Sequence, residues 1–135
     1  MRHPIKLIVL ALMLLTVSTG AMAQSAKQKK RCNYVMSSMK MDKAQRPQFQ
    51  KLFYAYLKEL KTAKDIYDAP KDAVKSDIDK HKISDKQAQE LTAKRWQSDE
   101  QKLKVRRKYA PLFQKMLGAK GAFYVFKYAN DNIDE

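Results

Sequence analysis

Apolar side chains recur along most of this chain at intervals of three and four, the spacing of one face of an α-helix. The longest stripe joins Phe49, Leu52, Phe53, Tyr56, Leu60, Ala63 and Tyr67, with Lys51, Tyr54, Lys58, Lys61 and Asp65 opposite. It predicts an amphipathic helix over 43–67. A shorter stripe of Cys32, Val35, Met36 and Met39 predicts a first helix over 26–38. A third helix is expected over 85–117, with Gly118 in the left-handed position just past its end. A short fourth, over 119–130, carries Phe123, Tyr124, Phe126 and Tyr128. Segment 68–82 holds Pro70, many charges and few apolar residues, so it reads as a solvated connection. No stretch alternates as a strand does. These spacings predict an all-α fold of four helices in a single domain.

Two helix starts share one plan. Met41-Asp42-Lys43-Ala44-Gln45 and Ile83-Ser84-Asp85-Lys86-Gln87 each place an apolar residue before a capping side chain, and Gln three positions after the cap. This is a capping box: Asp42 or Ser84 accepts from the third backbone N–H, and Gln45 or Gln87 reaches back. Its task is structural. Pro47 lies too deep for a helix beginning at Lys43 and should strain or shift that start.

The N-terminus has a different pattern. Arg2 and Lys6 precede an apolar run from Leu7 to Val17, and Ala21-Met22-Ala23 follows. That is the three-part plan of a secretory signal peptide, 1–23, cut after Ala23. Eleven residues cover about 16 Å of helix, short of the roughly 30 Å of a bilayer core. Export to the periplasm without stable membrane insertion is therefore expected, leaving Gln24–Glu135 as the mature chain.

The whole chain carries 28 Lys and Arg against 14 Asp and Glu; without Arg2 and Lys6 it is 26 against 14, a net charge of +12. Such an excess attracts acidic proteins or lipid headgroups. Export argues against nucleic acid as a partner. A lone cysteine, Cys32, has no internal disulfide partner, and its place on an apolar stripe favours a buried thiol over an intermolecular bridge.

With the two boxes, the chain resembles the Spy/CpxP group of periplasmic proteins, whose hallmark is a repeated Leu-Thr-x-x-Gln ahead of long helices. Here Met41-Asp42 and Ile83-Ser84 stand for Leu-Thr, with Gln45 and Gln87 in register. The likeness extends from about Val35 to Tyr128 and takes in Phe49-x2-Leu52-Phe53-x2-Tyr56-x3-Leu60 and Leu103-x-Val105-x3-Tyr109-x3-Phe113-x3-Leu117. The resemblance implies a cradle-shaped antiparallel helical dimer. It further implies an ATP-independent chaperone or, alternatively, a regulatory or metal-responsive inhibitor of an envelope stress pathway. Pro47 and Pro111 depart from the family's continuous helices.

A search for chemistry yields no enzyme constellation. Beyond the signal segment the single histidine is His81, far from Cys32 in sequence, and there is no phosphate-cradling glycine loop. No cofactor and no metal site is expected; Met36, Met39 and Met41 beside Cys32 read as core filling rather than soft metal ligands. The anomaly lies in the third helix. At about 100° per residue, Arg95, Asp99, Lys102 and Arg106 share the arc of Leu91, Leu103, Val105, Tyr109, Phe113 and Met116. Either these charges pair and snorkel, or the seam is a homodimer contact or an open groove beside Tyr and Trp96. Candidate contacts for an unfolded or acidic client are thus Arg95, Lys102 and Arg106, with Lys58 and Lys61 as further cations. If export is right, the protein recovered from the periplasm begins at Gln24 on N-terminal sequencing; Met1 retained on a cytoplasmic protein would contradict it.

Overall fold

The computed structural model describes residues 25–131, and the signal segment expected over 1–23 lies outside them. These residues form four helices and no strand: α1 (Ala26–Ser38), α2 (Arg46–Ala73), α3 (Lys75–Asp79) and α4 (Asp85–Ala129). They fall into two compact units. One runs to Leu57 and resumes at Leu112; the other is Lys58–Pro111.

The first unit is built on aromatic packing. Phe49, Phe53 and Tyr56, spaced by four and three on α2, are fully or almost fully buried with Phe113 of α4. The Phe113 ring sits 5.8 Å from Phe49, 6.0 Å from Tyr56 and 5.7 Å from Phe126, the last two edge to face. Such pairs each add roughly 0.5–1.5 kcal/mol beyond the area they bury. From α1, Cys32, Val35 and Met36 are buried as their stripe predicts, while Met39 is only half-buried.

Local chemistry sets the ends of α1. Ser25 and Gln28 form a capping box (3.1 and 3.3 Å) that sequence reading missed. At its far end Lys40 takes a left-handed φ of 53°, Met41 N–H reaches the Met36 carbonyl at 3.0 Å, and Lys40 N–H reaches that of Ser37. This is a Schellman ending, and its customary apolar contact explains why Met41 is buried.

The start of α2 differs from expectation. It begins at Arg46, not Lys43, and the bond expected from the Asp42 side chain is backbone to backbone, Gln45 N–H to the Asp42 carbonyl at 3.1 Å. Proline supplies the reason. A helix from Lys43 would set Pro47 where its missing N–H leaves a carbonyl unpaired; starting at Arg46 puts Pro47 in the first turn, where no partner is needed.

Segment 68–82 also departs from the solvated connection expected there. Helix α2 continues through Pro70 to Ala73, and α3 follows at once. Charges at helical spacing support both: Lys64–Asp68 (4.0 Å), Asp68–Lys71 (3.7 Å) and Lys75–Asp79 (3.2 Å). Each exposed pair contributes only a few tenths of a kcal/mol, but all favour the same backbone. The end of α3 is another Schellman turn, with His81 at φ 57° and bonds Lys82 to Asp77 (2.8 Å) and His81 to Ile78 (3.0 Å).

Helix α4 breaks at Gly118, where the sequence predicts a helix end. Its φ of 81° and ψ of 169° lie in a region essentially restricted to glycine. After the break Gly121 comes so near Leu117 that an added Cβ would stand 2.6 Å from the leucine Cβ. The last turn is fastened to α1: Arg31 donates to the Ala129 carbonyl and, at 3.0 Å, to that of Asp131, placing a cation at a helix C-terminus. Gly118→Ala should cost about 1–3 kcal/mol in urea unfolding through backbone strain alone, since nothing lies within 4 Å of its added Cβ. An unchanged midpoint would contradict this account of the break.

Candidate functional site

The second unit pairs the later part of α2 with the earlier part of α4. Its start on α4 is the second capping box, Gln87 N–H to Ser84 Oγ at 3.1 Å and Ser84 N–H to Gln87 Oε1 at 2.9 Å. From there the inward line of α4 is Leu91, Ser98, Lys102, Val105 and Tyr109, of which only Ser98 and Tyr109 are fully buried. Polar groups do much of the joining. Ser98 Oγ donates to the Ala63 carbonyl at 2.8 Å. Glu59 accepts from Lys108 Nζ at 2.8 Å and from the Tyr109 hydroxyl.

Neither Ser98 nor Glu59 stood out in the sequence, yet both carried a signal. Ser98 is seven residues beyond Leu91, and Glu59 sits three after Tyr56 and four before Ala63, on the buried arc. The seam itself resolves into different roles. Arg95 and Asp99 are exposed, Lys102 and Arg106 half-buried, and Leu103 is 45% exposed rather than inward. Asp99 pairs with Lys102 at 3.2 Å, not with Arg95. The Arg95 guanidinium instead lies over the Tyr67 ring, 5.8 Å from its centroid.

That stacking marks the candidate site. A recess of about 380 Å³ is lined by Tyr67, Ile78, Ile83, Leu91, Arg95 and Trp96 among others. A second recess of about 330 Å³, which shares Ala88, Thr92 and Trp96 with the first, is lined also by Gln89 and Ala93. Trp96 lines both and is 65% exposed. The helix missed in reading 68–82 supplies Ile78, while Ile83 is the apolar residue that precedes the second capping box. Of the five candidate cations, Arg95 alone lines the recess. Lys102 and Arg106 follow on α4; Lys58 and Lys61 are exposed on α2, with Lys61 held by Asp65 at 3.0 Å.

Other chemistry is muted. Burial pushes the Cys32 thiol up to about 11, partly offset by a hydrogen bond from Tyr54. That leaves a protonated, unreactive sulfur at neutral pH. Tyr54 rises to about 12, chiefly by burial and then through Cys32. Among the described residues no group of three or more His, Cys, Asp or Glu is placed to hold a metal ion, and no helix is long and apolar enough to cross a membrane. No family model, curated protein or solved structure matches the chain, so function is argued from geometry and sequence.

Tyr109 is raised above 10.0 by burial first and then by its bond to Glu59. A proton held more tightly in the folded state stabilises it fully below the unfolded value, and that stability is lost as pH rises from 10.0 toward the higher folded value. Denaturant midpoints should therefore be flat near neutrality and fall above about pH 10, with Tyr109→Phe reducing the alkaline slope. An identical slope in the variant would show that the Tyr109–Glu59 bond contributes nothing.

Proposed function

We propose that the protein is an exported, ATP-independent, chaperone-like binding protein of the periplasm. In this reading it works on the principle of the Spy/CpxP group and captures unfolded or acidic clients on its second unit. The observation that carries the reading is Trp96, largely exposed and lining two recesses, the first of which it shares with Arg95. An indole left in water forgoes burial on the order of 2 kcal/mol, which an apolar client segment restores on binding. Cations bring the client in: Arg95, Lys102 and Arg106 with Lys58 and Lys61 act at long range and are screened beyond about 8 Å at 0.15 M salt. Capture thus needs charge first and apolar contact second, and no step consumes nucleotide.

A homodimer belongs to the same proposal. Arg95, Asp99 and Leu103 recur every four residues on the exposed side of α4. A copy running antiparallel along this face would bring Arg95 of each near Asp99 of the other.

An equimolar amount of the protein should slow aggregation of two unrelated unfolded clients without ATP, less so as salt rises. Trp96→Ala should lose most of the suppression at low salt, and Glu at Arg95, Lys102 and Arg106 together should slow capture, with helical circular dichroism retained. Clients aggregating at their unassisted rates in low salt would contradict the proposal. Sedimentation of the same samples reads the dimer, and a monomer at high micromolar concentration would remove it.

A further inference from the structure

We propose that the first unit carries a separate docking surface for a membrane rich in anionic lipid headgroups, centred on Phe123. This ring is 63% exposed, on a part of α4 whose other aromatic residues are at least half-buried. It begins a ladder: Phe123 meets Tyr124 edge on at 5.3 Å, Tyr124 stacks on Tyr128 at 5.8 Å, and Tyr128 meets Tyr34 of α1 edge on at 6.2 Å. Lys120 and Lys127, both exposed, flank Phe123 at three residues before and four after. Between Leu112 and Asn130 the sequence has three lysines and no carboxylate, and neither Lys120 nor Lys127 forms an ion pair among the described residues. Asp131, which follows, is engaged by the Tyr34 hydroxyl at 2.7 Å.

Three features select the partner. Lysines whose nearest acidic residue in sequence, Asp131, is already held by Tyr34 complement an anionic surface. Rings that carry a hydroxyl suit a boundary that is apolar on one side and wet on the other. A nucleobase would need an open ring face, but Tyr124 and Tyr128 cover one another and Lys127 lies over Tyr128, 5.0 Å from its centroid. Phe123 would enter the headgroup region while its lysines hold phosphates, giving peripheral, reversible attachment.

The test is flotation of the protein with vesicles of phosphatidylcholine alone or with one-third phosphatidylglycerol, at low salt. The protein should float with the anionic vesicles and not the neutral ones. Phe123→Ala should weaken that binding by about tenfold, as loss of a buried aromatic ring predicts. Lys120→Glu with Lys127→Glu should abolish the preference for anionic vesicles. Because Phe123 is exposed, the folded helix content should survive, and circular dichroism checks it. A second readout places a Phe123→Trp substitution in a Trp96→Phe background, whose emission should shift to the blue on adding anionic vesicles. Equal flotation with both vesicles, undiminished binding by Phe123→Ala, or unshifted emission would overturn the proposal. So would binding of polyglutamate or single-stranded DNA with the same Phe123 dependence while vesicles stay unbound.

Discussion

The ring of Phe113, packed among Phe49, Phe53, Tyr56 and Phe126, is the contact on which the first unit depends. A chain with twice as many basic as acidic residues repels itself. Aromatic rings answer this with large buried area per residue and a preference for edge-to-face geometry. Truncating a ring so enclosed typically costs about 3–5 kcal/mol, a large part of a small protein's stability. The glycine break at Gly118 separates Phe113 from Phe126 along α4, and both rings nonetheless reach the same cluster.

The second unit solves the same problem differently. Its fully buried residues are few and small, Ala63 and Ser98 beside Tyr109, and bonds to a carboxylate and a carbonyl supplement the packing. Shallow burial has a consequence for function. Residues that a deeper core would have absorbed, Trp96 and Leu103, stay at the surface. The apolar face needed for a binding role is what remains of an incompletely covered helix pair.

Helical periodicity made much of this legible. The stripes of α1 and α2 matched most of the buried faces, although Tyr54, expected on the opposite face, is half-buried against Cys32. Gly118 marked the break because few other residues tolerate its backbone. Segment 68–82 was misread because proline and charge were weighed as breakers; the spacing of Lys64, Asp68, Lys71, Lys75 and Asp79 is itself helical. The first capping box failed on a conflict between two local rules, Asp42 as cap and Pro47 in the first turn, which proline won. Lys40 and His81 in left-handed turns carried no glycine to announce them. At the site, Arg95 and Trp96 were identifiable as neighbours on a mixed seam. The recess was not, since one of its walls, Ile78, comes from the misread segment.

Trp96 is the chain's only tryptophan, so its fluorescence reports the proposed site without a label. Titrating an unfolded, tryptophan-free client at low salt should shift its emission to the blue, with the shift fading as salt is raised. Emission that stays at the solvent-exposed wavelength while client aggregation is suppressed would contradict the groove as the place of capture.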